Sequence, residues 1–308
     1  MNGIYFPGTG IDLTNVPNGF TIFGFTIKFY GLIIATGFML ALLIAMKHAK
    51  KSGQNPDDYI DFLLWMVIPV ILGARIYYII FDLDNYIAPG KSFGQTLLDM
   101  INIRNGGLAI YGGLIAGVIT AAIFAKKRKL SLPLMGDTIC MGVMVGQIMG
   151  RWGNFFNREA FGAYTNSIFR MAIPLDYYRS QGSLSYLLST NVITEEMQKH
   201  TELVNGLECI TVHPTFLYEG IWNFALLILV FAYRKHKKFD GEMAMIYVAG
   251  YGLGRFFVEW LRSDSLMIGP LKVSQMLGMV LFLLCTGVIV WNRLRIKKGI
   301  EPKLHLVK

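Results

Sequence analysis

Charge is what this sequence has least of. Asp, Glu, Lys and Arg make up 16% of its 308 residues, against roughly 25% in soluble domains, which argues against an ordinary soluble protein. Cysteine is also scarce. Cys140, Cys209 and Cys285 are the only three, an odd count without metal-ligand spacing, so neither a disulfide nor a metal site is expected. Cys140 and Cys285 lie inside apolar runs and read as small hydrophobes. The first 20 residues lack a basic segment leading into an apolar run, so no cleaved signal peptide is expected. Gly3, Pro7, Gly8, Gly10, Pro17 and Gly19 instead predict a loop or short amphipathic arm at the membrane interface. Internal repeats and low-complexity tracts are absent.

What is abundant is apolar: 54% of the residues are hydrophobic and the mean hydropathy is +0.46. Seven runs approach the roughly 20 residues a spanning helix needs, at about 27–46, 59–81, 107–125, 134–152, 214–233, 243–261 and 273–292. The expected fold is an all-α polytopic membrane protein, a single domain over 1–308 with seven transmembrane helices and a large loop at 153–213 between spans 4 and 5. The net charge of +9 does not point to nucleic acid, because most of the excess sits in short clusters after alternate spans. Lys47, Lys50 and Lys51 follow span 1; Lys126, Lys127, Arg128 and Lys129 follow span 3; Arg234, Lys235, Lys237 and Lys238 follow span 5. The tail adds Arg293, Arg295, Lys297, Lys298, Lys303 and Lys308. The connections between, which include Asp264, carry no positive excess. By the positive-inside rule the N-terminus is outside, the C-terminus cytoplasmic and the 153–213 loop outside.

That topology assigns a depth to each intramembrane polar residue, at about 1.5 Å per helical residue. Tyr30, Arg75, Tyr111, Arg151, His213, Tyr218, Arg255 and Glu259 all fall in the outer half, and Tyr251, four residues before Arg255, shares its helix face. Each has a bland reading. Arg151 near a helix end can snorkel, and Glu259, four residues after Arg255, can be its ion-pair partner. The tyrosines can belong to helix packing or the aromatic belt, His213 before Pro214 can be a helix-start residue, and Arg75 can serve a carboxylate such as Glu259. Three arginines on three helices in low dielectric nevertheless need an anion, and the planar guanidinium fork suits phosphate. An anionic phospholipid headgroup of the outer leaflet is the natural ligand; an outer-leaflet lipid or anion transporter is the alternative.

The stretch Gly150-Arg151-Trp152-Gly153-Asn154-Phe155-Phe156-Asn157, with Glu159 and Gly162, resembles the signature of the prolipoprotein diacylglyceryl transferases, a family of bacterial membrane enzymes. Tyr30-Gly31, Gly73-Ala74-Arg75, Gly106-Gly107-Leu108, His213-Pro214-Thr215-Phe216-Leu217-Tyr218-Glu219, and Tyr251 with Arg255 agree, so the resemblance covers nearly the whole chain. It implies transfer of the diacylglyceryl group of phosphatidylglycerol to the thiol of the lipobox cysteine in a preprolipoprotein signal peptide. Glycerol phosphate is released, in the first step of lipoprotein maturation. It also implies residence in the bacterial cytoplasmic (inner) membrane among membrane lipids, no cofactor and no nucleic-acid partner. The resemblance makes Arg151 and Arg255 the leading phosphate ligands and puts Tyr30 and Tyr111 beside them as catalytic candidates. Asn154, Asn157, Glu159, Gly162, Arg75, Tyr251, His213 and Glu259 are the substrate-binding candidates, with Gly162 expected to permit a tight turn.

One position departs from the family pattern: Tyr111 stands where many members carry histidine, their usual candidate for general base. Tyrosine, with a reference pKa near 10, is a poor base at neutral pH. Either His213 or Glu159 takes that part, or no dedicated base is needed.

Overall fold

The computed structural model describes residues 2–87, 92–103, 106–263 and 265–302. Asp264, Lys303 and Lys308, used above for topology, lie outside these. In chain order come β1 (Ile4–Phe6), β2 (Ile11–Leu13), β3 (Gly19–Ile22), β4 (Phe25–Lys28), α1 (Phe29–Lys51), α2 (Asp57–Phe81), α3 (Leu83–Tyr86), α4 (Phe93–Ile101), α5 (Ile110–Arg128) and α6 (Leu132–Asn157). These are followed by β5 (Met171–Pro174), α7 (Leu175–Ser180), α8 (Leu184–Ser189), α9 (Glu195–Lys199), β6 (Glu202–Val204), β7 (Leu207–Val212), α10 (Thr215–Tyr233), α11 (Glu242–Trp260), β8 (Met267–Ile268), β9 (Leu271–Lys272) and α12 (Val273–Lys297).

Every predicted apolar run is a helix, and the chain is a mostly helical, polytopic membrane protein. Six helices, α1, α2, α5, α6, α10 and α12, are long and apolar enough to cross a bilayer. The helix at the predicted sixth span, α11, has 19 residues. It falls short in hydropathy because glycines, tyrosines and the Arg255–Glu259 pair interrupt its apolar residues. Leu283, Leu284, Leu229 and Phe231 on these helices are exposed, as lipid-facing side chains are.

The chain forms two compact units. The described residues of Met1–Ala41 and Ile139–Leu306 make one, and Leu42–Thr138 makes the other. In the second unit α2 packs on α5, and in the first α11 packs on α10 and α12. Gly252 and Gly278 let α11 and α12 approach until a Cβ on either would stand 2.5 Å from the other's carbonyl oxygen.

The first unit corrects the all-α expectation. Part of the 153–213 loop folds with the N-terminal arm into a five-stranded sheet of order β2-β1-β5-β7-β6. The arm is therefore not a loop: Ile4 and Tyr5 are buried, and Tyr5 pairs with Ala172 of β5. The β6–β7 hairpin turns on Asn205-Gly206, both with positive φ (51° and 77°), a pair that favours a tight hairpin. Ile4, Phe161, Ile173, Tyr178, Ile210 and Phe216 meet in the core of this head.

Candidate active site

Helix α6 carries the signature out of the apolar region and ends abruptly. Arg158 and Ala160 take left-handed φ values of 52° and 55°, an uncommon state for residues with a side chain that must be held by its surroundings. Arg158 shows what holds it. Its buried guanidinium lies 3.9 Å from the centre of the Tyr177 ring and donates to the carbonyls of Asn2 (2.6 Å) and Val16 (2.7 Å), tying the arm to the turn. Tyr178 closes the turn by donating to the Arg158 carbonyl at 2.7 Å. Burial pushes the Arg158 guanidinium below its usual pKa and the Tyr178 phenol above its own. The turn brings Glu159 back onto α6, where its Oε1 accepts from Asn154 Nδ2 (2.9 Å) and Asn157 Nδ2 (3.3 Å).

One helical turn earlier, Arg151 enters a cluster built from three helices. Its Nη2 lies 2.6 Å from Oε2 of Glu219 on α10, and Arg255 of α11 reaches the other oxygen, Oε1, at 3.0 Å. Arg255 Nη2 also meets Glu259 at 2.5 Å, and Arg262 stands 3.8 Å from Glu219. Both carboxylates are buried, at 4% and 1% exposure, whereas Arg151 and Arg255 keep 19% and 18%. Arg151, Arg255 and Arg262 thus gather on Glu219, with Glu259 beside Arg255, and among the described residues the Nε and Nη1 of Arg151 meet no acceptor. Lys272 Nζ closes the C-terminal end of α11 by donating to the carbonyls of Glu259 and Arg262, each at 2.7 Å.

The remaining signature residues frame this cluster. Gly162 donates to the His213 carbonyl at 2.9 Å and forms a β-bridge with Arg262. A Cβ there would stand 2.6 Å from the Leu261 carbonyl oxygen and 2.7 Å from His213 Cβ. Close approach of three segments of the chain, and not a special turn angle, is what requires glycine. His213 is half-buried, its Nδ1 is 3.4 Å from the Tyr218 hydroxyl, and burial pushes its pKa down, favouring neutral imidazole. Tyr30 lies with its ring against the backbone of Gly153, and Tyr251 packs near Tyr247, ring centres 6.0 Å apart.

Arg75 and Tyr111 belong to the second unit. Arg75 is buried, and its five N–H donors go to five carbonyls: Nε to Met100, Nη1 to Gly106 and Gly107, Nη2 to Asp99 and Asn102. A guanidinium so committed has no donor left for phosphate, and among the described residues of its unit no carboxylate pairs with it. The reading of Arg75 as a substrate ligand is therefore replaced by a structural one: it shapes the connection from α4 to α5. Tyr111 opens α5, its ring 6.4 Å from that of Tyr77.

A family profile described as prolipoprotein diacylglyceryl transferase matches residues 17–291. The chain belongs to this family. A Clostridioides difficile phosphatidylglycerol–prolipoprotein diacylglyceryl transferase is 37% identical over 262 residues, 85% of this chain and 89% of the relative. Proteins of the same name from Bacillus cereus and Finegoldia magna are each 38% identical over 282 residues, covering 92% and 91% of this chain and 93% and 96% of theirs. This member of the prolipoprotein diacylglyceryl transferase family is a transferase of lipoprotein biosynthesis, and the transporter alternative finds no support.

Sequence reasoning missed Glu219, Arg262 and Lys272. Glu219 gave a usable signal, a carboxylate five residues into an apolar run; the other two lie past the end of α11, where charge is ordinary and only the fold gives it a partner.

Proposed function

We propose that the chain moves the diacylglyceryl group of phosphatidylglycerol onto the lipobox cysteine of a preprolipoprotein, at the outer leaflet of the bacterial cytoplasmic membrane. The observation that carries this is the open fork of Arg151, held by buried Glu219 in a cluster shared with Arg255 of a neighbouring helix. A phosphodiester brings one negative charge to it. The acceptor sulfur attacks the glyceryl carbon, an S–C bond forms, the C–O bond to phosphate breaks, and its electron pair leaves on glycerol phosphate. The phosphate gains charge as it leaves, so preorganised guanidiniums stabilise the transition state more than the ground state.

Glu219 and Glu259 are positioning residues in this reading. They hold Arg151 and Arg255 in fixed rotamers, so little reorganisation is needed as charge develops. Asn154 and Asn157 lock Glu159 beside the same site, while Tyr30 and Tyr251 contact the substrates. The thiol needs no dedicated base: with a pKa near 8.5, ionising it at neutral pH costs about 2 kcal/mol, and its proton goes to solvent. Glu159 within the signature and neutral His213, whose carbonyl meets Gly162, are the bases at hand.

The seven helices α1, α2, α5, α6, α10, α11 and α12 span the bilayer as a single membrane domain, with the N-terminus and the head outside and the C-terminus cytoplasmic. Charge supports this orientation, since the basic clusters lie at or just beyond the C-terminal ends of α1, α5, α10 and α12. The deciding experiment incubates purified protein with a lipobox peptide and vesicles of phosphatidylglycerol or of other phospholipids. A thioether-linked diacylglyceryl peptide with phosphatidylglycerol alone is expected. Absence of product although both substrates bind would overturn the reading.

A further inference from the structure

A cavity of about 330 Å³ opens in the head beside the signature turn. Asn157 and Glu159 of the signature line it, together with Phe161 beside them, Lys28 of β4, Leu187 of α8 and Val192 just beyond α8. Lys28 and Glu159 are exposed and Phe161 is buried, so the cavity has charge at its mouth and apolar surface within. The Lys28 ammonium meets no acceptor among the described residues. A small apolar pocket with a few polar groups at its rim suits one side chain of an extended peptide and the backbone amides flanking it.

The cavity is tied to the arginine cluster by a short path. Asn154 lies three residues after Arg151, about 4.5 Å along the axis of α6, and bonds Glu159 at 2.9 Å; Glu159 is itself a cavity wall. Two or three extended residues reach about 7–10 Å, enough to run from a cysteine held at Arg151 into the cavity. The lining comes from the signature turn, the arm and the small helices of the head, and lacks the continuous apolar groove that an acyl chain needs. A signal peptide is an apolar segment that precedes its processing site, so the residues after the acceptor cysteine are those that leave the bilayer toward the head.

We infer that this cavity is a subsite for the first residues following the acceptor cysteine, so that the head selects among acceptor polypeptides by the size of that side chain. The inference rests on the transferase reading above. Its test uses the full-length protein with phosphatidylglycerol vesicles and three lipobox peptides: one ending at the cysteine amide, one continuing with small residues, one continuing with tryptophan. Val192→Trp fills the cavity and Leu187→Ala enlarges it. Val192→Trp is expected to raise KM about tenfold for the peptide continuing with small residues, while KM for lipid and the rate with the truncated peptide stay as in the parent. Leu187→Ala is expected to relax the discrimination against tryptophan, an effect that poor folding does not produce, and it decides the matter alone if Val192→Trp does not fold. Unchanged peptide preference in Leu187→Ala, or a change confined to KM for lipid, would overturn the subsite. Failure of the unmodified protein to lipidate any of the three peptides would instead count against the transferase reading.

Discussion

Arginine 255 divides its fork between two carboxylates, Glu219 at 3.0 Å and Glu259 at 2.5 Å, a geometry that depends on a planar group with separated nitrogens. Lysine keeps the charge but offers one point donor. Arg255→Lys is expected to lower kcat about 100-fold, as loss of a preorganised donor does, with membrane insertion retained; the transfer assay measures it, and near-normal turnover would remove Arg255 from the chemistry. Tyr111→Phe should keep most activity and Tyr111→His should be tolerated, because many family members carry histidine at this position and the thiol needs no dedicated base in the reading above; a collapse of rate in Tyr111→Phe would give the hydroxyl a chemical role. His213 carries a pH signature. Burial lowers its pKa in the folded state, so the unfolded chain binds the proton more readily, and stability falls as pH drops below the unfolded value of about 6.5. Melting temperatures from pH 7.5 to 5.5 should therefore decline less in His213→Asn than in the parent.

Among the elements, the connection from α4 to α5 has the clearest dependence on one side chain. Arg75 gathers the carbonyls of Asp99, Met100, Asn102, Gly106 and Gly107, and a Cβ on Gly107 would collide with Arg75 Nη1. Lysine can satisfy at most three of those acceptors. Arg75→Lys should raise limited proteolysis at residues 99–103 and 106–107, with cleavage sites read by mass spectrometry; protection equal to the parent at those sites would show that the carbonyls hold without the fork. The head teaches a different lesson. Its β6–β7 hairpin was legible locally, since Asn205-Gly206 sits between Glu202–Val204 and Leu207–Val212. Its β1 was not, because Ile4 and Tyr5 meet Ala172 and the head core across more than 150 residues, and no local pattern encodes a partner that distant.

At the scale of the whole molecule the testable quantity is sidedness. In a variant lacking Cys140, Cys209 and Cys285, a single cysteine replacing exposed Ser189 in the head should react with an impermeant maleimide added to intact cells. One replacing exposed Lys298 after α12 should react only after permeabilisation. The reverse pattern would invert the topology. Cys209 must go for a clean background even though it is buried, with its thiol pushed up to about 12, because any unfolded fraction would label.

The sequence by itself determined the membrane class, the places of the long helices and the family, because apolar length and a contiguous signature are local properties that need no partner. It also named Arg151, Arg255 and Glu259, since charge inside an apolar run is conspicuous wherever the chain folds. Only the tertiary structure decided that Arg75 serves backbone carbonyls while Arg151 keeps an open fork, and that Glu219 joins Arg151 to Arg255. The physical reason is that a guanidinium's role is set by which acceptors come within about 3 Å of it, and helices distant in sequence supply those.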